Sequence, residues 1–422
     1  MSKVAPDGTS RRRGPRPLPL HLALALATRW AARMPPGCAP GSTSWSGGSP
    51  RSNAGRREAA RIAAALAAGN HPPEAFAAAV ERRLRASEAA LLQGILAYRR
   101  HPFRRDMPPQ PAVWTEGGSR LLDHGGPPGA PVILVIPSLV NRAEVLDLLP
   151  GASMLRHLAA AGVRPLLLDW GAPGAAERGF SLTDYVAGRL ERALAAAIGC
   201  AGGPVVLAGY CLGGMLALAL AQRRPGLLRG LALLATPWDF WAEDAARARG
   251  LAATLPLLEP LLRATGTLPV DALQALFAAH DPAGIGEKYR AFARLDPDSP
   301  QARRFVALED WLNDGIPLAA AVAREALSGW YGANTPMRGE WRIAGEVVAP
   351  QALRLPAFLA IPARDRIVPP ASALALAAAM PGAHVHHAAA GHVGMVAGSG
   401  AEAQLWRPLL TWIKALPGPL GL

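Results

Sequence analysis

Short apolar runs alternate with segments of helical periodicity through the middle of the chain. The continuous apolar runs, which are typical of strands buried on both faces, fall at residues 132–136, 166–168, 205–208 and 231–234. Between them, residues 182–198 and 214–223 place apolar side chains at helical spacing. Strands that alternate with helices in this way predict an α/β fold with a mostly parallel central sheet and flanking helices.

Residues 238–345 interrupt this alternation with a mostly helical pattern that is rich in Trp, Leu and Pro. Two further strands are predicted near residues 357–361 and 384–387, and a last amphipathic helix over 401–416. Because the chain returns to the sheet after this long insertion, we expect the insertion to form a helical lid.

The first 117 residues have a different character. Residues 1–55 are rich in Pro, Gly, Ser and Arg without sustained periodicity, so we expect a disordered basic leader around a short helix at 18–33. Residues 56–117 are predicted to be a helical N-terminal region and connector, with two helices separated by Pro72-Pro73.

The formal charge of +13 is concentrated in this N-terminal part. Residues 1–110 carry 18 Lys/Arg against 6 Asp/Glu, a net +12, so the rest of the chain is almost neutral. A solvated tail explains the excess better than a nucleic-acid site, because no basic patch interleaved with aromatic residues accompanies it. We therefore expect no nucleic-acid partner.

The cysteine content and the N-terminal sequence indicate in which cellular compartment the protein is expected. Cys38, Cys200 and Cys211 are too few and too irregularly spaced for a disulfide framework or a zinc site, so we expect no metal and a cytoplasmic protein. Three arginines at 11–13 followed by an apolar run at 18–27 resemble a signal peptide. That run is short, is closed by further arginines and lacks a small-residue cleavage site, so export is the less favoured interpretation.

The strongest chemical signal follows the third apolar run. The segment Gly209-Tyr210-Cys211-Leu212-Gly213 has the spacing of a nucleophile elbow, with cysteine as the nucleophile. In such a turn, the sulfur lies at a helix N-terminus, where the helix dipole and free N–H groups favour a thiolate. A buried structural cysteine is the alternative, but the strand before it and the helix after it favour the nucleophile.

Asp365 and His392 follow the last two predicted strands. Asp365 is predicted to orient a histidine, the alternative being a capping residue or a surface ion pair. His392 is predicted to take or share the Cys211 proton and then to activate the second substrate, the alternative being a loop histidine with no role. His386 and His387 compete with it, but they lie within a strand, where at least one must point into packing.

The order of these residues along the chain indicates the fold. Nucleophile, acid and histidine occur in the order of the α/β-hydrolase fold, so we predict this fold with Cys211, Asp365 and His392 as its catalytic triad. The predicted hydrolase core comprises residues 118–237 and 346–422, and the lid residues 238–345.

The same fold predicts where an oxyanion would be bound. The N–H of Leu212 is placed to donate to it, and the loop after the first buried strand should supply a second donor from Leu139 or Val140. We expect Asn141 and Arg142 to fix this loop, the alternative being contact with a phosphate.

Several motifs in register resemble those of the polyhydroxyalkanoate (poly-3-hydroxybutyrate) synthases, over about residues 118–415. They are Leu139-Val140-Asn141-Arg142, Leu168-Asp169-Trp170-Gly171, Asp184-Tyr185, Gly209-Tyr210-Cys211-Leu212-Gly213-Gly214, Thr236-Pro237-Trp238-Asp239-Phe240, Leu308-Glu309-Asp310-Trp311, Asp365-Arg366-Ile367-Val368-Pro369 and Gly391-His392-Val393-Gly394. The first two look like the two-subunit class of these enzymes, and the Tyr beside Cys looks like the single-subunit class.

This resemblance implies a function. The cysteine of the family takes a 3-hydroxyacyl group from coenzyme A as a thioester, and the histidine deprotonates a 3-hydroxyl group so that the chain grows by an ester bond. Coenzyme A thioester is then a substrate, and no cofactor is expected. The lid would exclude water, which would end the chain. The family also implies a homodimer, in some members a partner synthase subunit, and association with the polymer granule surface.

Two other classes of function compete with this interpretation. A cysteine-nucleophile thioesterase, esterase or small-molecule acyltransferase would use the same scaffold and differ in whether water or a hydroxyl group reaches the acyl-enzyme. A non-catalytic granule-associated or scaffold protein is less favoured, because all three triad residues are present. The acyl chain length is left open.

Overall fold

The computed structural model describes residues 12–33, 53–279 and 284–417. None of the helices in these ranges is long and apolar enough to cross a membrane.

The helices and strands of the described residues are as follows. The helices are α1 Leu18–Arg33, α2 Asn53–Ala68, α3 Pro73–Arg100, α4 Met154–Ala160, α5 Glu191–Ala201, α6 Leu212–Arg223, α7 Ala245–Ala252, α8 Leu255–Thr265, α9 Val270–Ala278, α10 Gly284–Phe292, α11 Pro300–Asn313, α12 Ala320–Arg324, α13 Pro370–Ala379, α14 His392–Ala397 and α15 Arg407–Ala415. The strands are β1 Ala112–Glu116, β2 Ser119–Asp123, β3 Val132–Ile136, β4 Asp147–Leu149, β5 Ala152–Ser153, β6 Arg164–Asp169, β7 Val205–Tyr210, β8 Leu228–Leu234, β9 Thr267–Leu268, β10 Leu318–Ala319, β11 Arg342–Ile343, β12 Glu346–Val347, β13 Ala357–Pro362 and β14 His384–Ala388. Short 3₁₀ or π-helical turns occupy Ala143–Leu146, Glu177–Gly179, Asp184–Leu190, Pro225–Leu227, Glu325–Gly332, Pro350–Ala352 and Glu402–Trp406.

Contacts divide the chain into two units. Of the described residues, the smaller comprises 12–33, 53–103 and 284–306, and the larger comprises 104–279 and 307–417. The predicted lid over 238–345 is therefore divided, because part of it belongs with the N-terminal helices.

The larger unit is built on one central sheet. Within the described residues, eight strands form it in the order β1-β2-β6-β3-β7-β8-β13-β14. The pairs from β6 to β14 are parallel, whereas at one edge β2 pairs antiparallel with β6 and β1 pairs antiparallel with β2. Every residue of β3 and β7 is buried, as expected for central strands with apolar sequences. The predicted α/β-hydrolase fold with a mostly parallel sheet is confirmed.

This sheet brings three chain segments to one edge. The strands β7, β13 and β14 are parallel to one another, and each ends a few residues before Cys211, Asp365 or His392 respectively. Since the carboxyl ends of parallel strands meet at the same edge of a sheet, residues far apart in sequence become neighbours there.

The cap, as we call residues 238–279 and 307–345 of the larger unit, joins the end of the sheet region at β8 to its return at β13. It contains α7, α8, α9, α12 and the two-stranded pair β9-β10. Its tryptophans are closely packed, with Trp330 and Trp341 at 1% and 5% exposure and their rings 5.6 Å apart edge to face.

The smaller unit has its own apolar core. Leu91, Ile95 and Tyr98 of α3 are buried together with Tyr289 and Phe292 of α10. A Cβ on Gly94 would lie 2.0 Å from the carbonyl oxygen of Tyr289, so glycine at that position allows the two helices to approach closely. This pairing explains why residues 284–306 group with the N-terminal helices, although they were predicted to belong to the lid.

Part of the predicted leader also belongs to the smaller unit. Of residues 1–55, positions 1–11 and 34–52 lie outside the described residues, but α1 lies within them. Leu18, Leu22 and Ala25 of α1 pack against the apolar core of the unit. The two helices predicted beyond it are α2 and α3, and α3 begins at Pro73, directly after Pro72.

Candidate active site

Cys211 occupies the turn between β7 and α6. Its backbone has φ 56° and ψ −126°, a conformation that costs a residue other than glycine free energy and that persists only where the surroundings enforce it. The surroundings here are backbone atoms. A Cβ on Gly209 would lie 2.5 Å from the oxygen of Gly213, and a Cβ on Gly213 would lie 2.3 Å from the oxygen of Ile136. Glycine is therefore required at both positions, and the turn has the geometry predicted for a nucleophile elbow.

Asp365 and His392 are in direct contact. The His392 Nδ1 atom lies 2.6 Å from Asp365 Oδ2, and the Asp365 side chain is completely buried. Its other oxygen, Oδ1, accepts hydrogen bonds from the backbone N–H groups of Ile367 (2.8 Å) and Val368 (2.9 Å). Both carboxylate oxygens thus have partners, and the carboxylate can hold the histidine ring in one orientation and one tautomer.

The charge of His392 is strongly affected by its neighbours. Burial disfavours the protonated ring, but the negative charges of Cys211 and Asp365 and the hydrogen bonds to both side chains outweigh it and raise the pKa of His392 to about 10. The structure therefore brings Asp365 and His392 into direct contact, and the charge of Cys211 acts on the same imidazole.

Tyr210 is a neighbour of the histidine whose contribution the sequence did not predict. Its hydroxyl donates to the carbonyl oxygen of His392 (3.3 Å), and the two rings lie 5.1 Å apart. Burial raises the pKa of Tyr210 well above its usual value, and the nearby charges of Cys211 and Asp365 add to this effect. The phenol remains neutral, and its ring packs beside the imidazole.

The competing histidines are engaged elsewhere. His386 Nε2 lies 2.6 Å from the carbonyl oxygen of Gln404, and its ring stacks on Phe358 at 5.8 Å. His387 is exposed on strand β14. The preference for His392 over these two therefore agrees with the geometry.

The loop after β3, residues 137–142, lies beside the elbow. Leu212 is the first residue of α6, and the first N–H groups of a helix have no acceptor within it. The N–H of Val140 donates to Ser138 Oγ at 3.3 Å, and both residues line the same cleft as Cys211. Arg142 forms an ion pair with Asp314, its Nε lying 2.7 Å from the carboxylate, which agrees with the loop-fixing role predicted for it.

A cleft opens above Cys211 in the larger unit, with a volume of about 1250 Å³ including its open mouth. Most of its wall is apolar, and the larger aliphatic and aromatic side chains from the cap are Phe240, Leu251, Leu268, Leu273, Leu276, Phe277, Leu318, Leu327, Trp330 and Tyr331. Asp239, Glu243, Asp244 and Arg247 are its charged lining residues. Sequence reasoning predicted a lid and named Asp239 and Phe240 only as motif positions, and it assigned none of these residues to a cleft. The cap residues beyond Phe240 that line the cleft share no motif.

Comparison with known proteins agrees with this architecture. The profile of the family described as alpha/beta hydrolase fold matches residues 131–398. The chain belongs to the α/β-hydrolase fold family.

Individual relatives carry more specific names. The Poly(3-hydroxyalkanoate) polymerase subunit PhaC of Synechocystis sp. is 28% identical over 67% of this chain and 77% of its own length. The subunit of the same name from Allochromatium vinosum is 27% identical over 72% of this chain and 88% of its own. Among solved structures, the thioesterase domain from the curacin biosynthetic pathway matches 72% of this chain and all of its own, at 17% identity and a TM-score of 0.47.

These relatives confirm the resemblance to polyhydroxyalkanoate synthases that the motifs indicated. The matches to PhaC subunits cover 67% and 72% of this chain.

Proposed function

We propose that this protein is an acyltransferase of the polyhydroxyalkanoate synthase type, which polymerises 3-hydroxyacyl groups from coenzyme A through a thioester on Cys211. The observation that carries the proposal is the position of His392, held by Asp365 and adjacent to Cys211 at an apolar cleft. The PhaC names of the relatives support the choice of substrate.

In the first step, Cys211 takes up the acyl group. Its sulfur attacks the thioester carbon of 3-hydroxyacyl-CoA, the carbon–sulfur bond to Cys211 forms, and the bond to coenzyme A breaks. The departing thiolate takes the proton that His392 holds, so free coenzyme A leaves as a thiol. Because one thioester replaces another, the step is nearly balanced in free energy, which is a reason to use cysteine instead of serine.

In the second step, the acyl group moves to a hydroxyl group. His392 accepts the proton of a 3-hydroxyl group, whose oxygen attacks the Cys211 thioester. An ester bond forms, the bond to sulfur breaks, and Cys211 and protonated His392 return to their starting state. No cofactor is needed, since coenzyme A is the leaving group.

Both steps pass through a tetrahedral oxyanion. The N–H of Leu212 is the first proposed donor to it. Because Val140 N–H already donates to Ser138 Oγ, Leu139 is the better of the two loop candidates for the second donor.

The apolar wall of the cleft suits this chemistry. It offers an acyl chain a surface of Leu and Phe side chains, and it would disfavour water, which would release the free hydroxy acid. We further propose that the protein acts as a homodimer, alone or with a partner synthase subunit, at the surface of the polyester granule.

The test is product analysis with purified protein and 3-hydroxybutyryl-CoA, in which free coenzyme A is followed with a thiol reagent and the acyl products by mass spectrometry. We expect release of coenzyme A together with oligomers of 3-hydroxybutyrate. Release with only free 3-hydroxybutyrate would contradict transfer and indicate a thioesterase. No release, from folded protein given either this thioester or a longer-chain homologue, would contradict the acyl-CoA assignment itself.

A matched pair of cysteine variants controls this experiment. Cys200 and Cys211 are both partly exposed free thiols, but Cys200 lies on α5. Cys211→Ala should abolish coenzyme A release, and Cys200→Ala should leave it unchanged.

A further inference from the structure

The loop after β3 is held at both ends by tryptophan side chains. The indole N–H of Trp170 donates to the carbonyl oxygen of Pro137 at 3.1 Å, and that of Trp311 donates to the carbonyl oxygen of Arg142 at 2.7 Å. Both indoles are buried, with 4% and 6% exposure. The two acceptors are the first and last residues of the loop that contains Leu139 and is proposed above to bind the oxyanion.

Trp311 and Trp170 lie in different parts of the larger unit. Trp170 directly follows β6 of the central sheet, whereas Trp311 lies on α11 in the cap. Asp314, just beyond α11, pairs with the Arg142 side chain through its carboxylate and also accepts from it through its backbone oxygen (3.0 Å). The cap therefore contacts residue 142 at two points, its carbonyl oxygen through Trp311 and its Nε through Asp314.

The packing around these bonds is tight. A Cβ on Gly315 would lie 3.3 Å from Asn141 Oδ1 and 3.5 Å from the carbonyl oxygen of Val140. The segment 311–315 thus lies directly against residues 140–142, and a shift of one would displace the other.

We propose that Trp311 is a positioning residue for acyl transfer, which fixes the loop that donates to the oxyanion from the cap side. This inference rests on the proposed function. An oxyanion donor is effective only when its N–H is held about 2.7–3.1 Å from the developing charge, so a bond that fixes the loop backbone contributes in the transition state. Trp311 touches neither substrate nor sulfur and acts through Leu139.

A purely structural role for the indole is the competing explanation, and the chain offers a control for it. Trp341 is another cap tryptophan with 5% exposure, but its indole N–H is buried without a hydrogen-bond partner in the described part of the chain. Trp311→Phe and Trp341→Phe each remove a buried indole, but only the first removes a bond to the loop.

The experiment compares three rates in wild type, Trp311→Phe and Trp341→Phe. These are the kcat and KM for 3-hydroxybutyryl-CoA and the rate of Cys211 alkylation by iodoacetamide, a displacement that forms no oxyanion. We expect Trp311→Phe to lower kcat by about five- to tenfold, the effect of losing one hydrogen bond from the reacting geometry, with KM and alkylation unchanged. Trp341→Phe should change none of the three. Equal kcat values for the two variants, or a parallel fall in alkylation for Trp311→Phe, would overturn the proposal.

A second variant and the alkylation rate of the wild type allow the test to be interpreted even where Trp311→Phe does not fold. If Trp311→Phe is not obtained folded, Asp314→Ala replaces it, because its carboxylate side chain is 69% exposed and its loss leaves the core intact. We expect that variant to lower kcat about two- to threefold without changing alkylation, and an unchanged kcat would contradict the role of the cap. Failure of the proposed function is recognised separately, since wild-type protein would then show alkylation but no acyl transfer.

Discussion

The backbone around Cys211 is fixed by other backbone atoms at close range, whereas the cleft above it is lined by side chains from several elements of the cap. At the elbow, Gly209 and Gly213 would each collide with backbone if they carried a Cβ. In the cleft, Leu268, Leu276 and Leu327 come from three different elements of the cap and share only their apolar character. A steric requirement for glycine leaves a motif in the sequence, whereas the packing of apolar side chains does not.

The same difference separates the effects that we expect from substitutions. Changes at the elbow and the proposed triad should lower kcat or unfold the site, because one geometry is required there. Changes in the cleft wall should alter KM by smaller factors, because neighbouring side chains can adapt.

The largest effect is expected at Asp365, apart from removal of the sulfur itself. Asp365→Asn keeps the shape of the side chain but removes the charge that orients and stabilises protonated His392, so kcat should fall by about 10²–10⁴. Steady-state kinetics with 3-hydroxybutyryl-CoA would measure it. A variant with wild-type kcat would remove Asp365 from the triad.

The next effect concerns stability at the elbow. Gly213→Ala places a Cβ 2.3 Å from the oxygen of Ile136 and should reduce the free energy of unfolding by at least about 1–3 kcal/mol. Gly226→Ala is the control, since a Cβ there has no neighbour within 4 Å. Urea denaturation of both variants measures the difference, and equal midpoints would show that the elbow tolerates a side chain.

A smaller effect is expected in the cleft wall. Leu276→Asn introduces a polar group into the apolar lining and should raise the KM for acyl-CoA about five- to tenfold with little change in kcat, since it removes apolar contact without touching the reacting atoms. Leu257→Asn on α8 is the matched control, because Leu257 is 82% exposed and does not line the cleft. If Leu276→Asn lowered kcat and left KM unchanged, the proposed difference between the elbow and the cleft wall would be contradicted.

The subtlest effect is on the protonation of His392. Its pKa of about 10 lies above the ordinary value of 6.5, so the ring should stay protonated as the pH rises until about 10. Its charged form then stabilises the fold fully below about pH 6.5, and this contribution is lost as the pH rises through about 10. Cys211→Ala removes a negative charge and a hydrogen bond, so the pKa of His392 should fall in that variant.

Nuclear magnetic resonance of the ¹⁵N-labelled histidine ring measures this protonation directly. The Cys200→Ala variant serves as the control, because no effect of Cys200 on His392 is expected. An unshifted His392 in wild type, titrating near 6.5, would show that the thiol and the imidazole are not paired.

Much of the proposed site could be predicted from the sequence because each residue of the proposed triad follows a predicted strand. The carboxyl ends of parallel strands lie at one edge of the sheet. Cys211, Asp365 and His392 could therefore be proposed as neighbours before any distance between them was known. The strand pattern also distinguished His392 from His386, which packs against Phe358.

Other features could not be predicted, because they depend on contacts between residues that are far apart along the chain. The lid was predicted as one piece over 238–345, but α10 packs on α3, almost two hundred residues earlier, and helical periodicity does not reveal its partner. Tyr210 was only a motif position in the sequence, and its contact with His392 depends on how β7 and α14 meet. The bond from Trp311 to Arg142 likewise joins residues 169 positions apart.

The measurement that tests the central claim most directly is the location of the acyl group on the protein. Wild-type protein would be mixed with 3-hydroxybutyryl-CoA, quenched in acid within the first turnover and digested, and the masses of the Cys211 and Cys200 peptides compared. The account predicts one or more 3-hydroxybutyryl units on the Cys211 peptide and none on the Cys200 peptide. Coenzyme A release with an unmodified Cys211 peptide, or with the acyl group on Cys200, would contradict it.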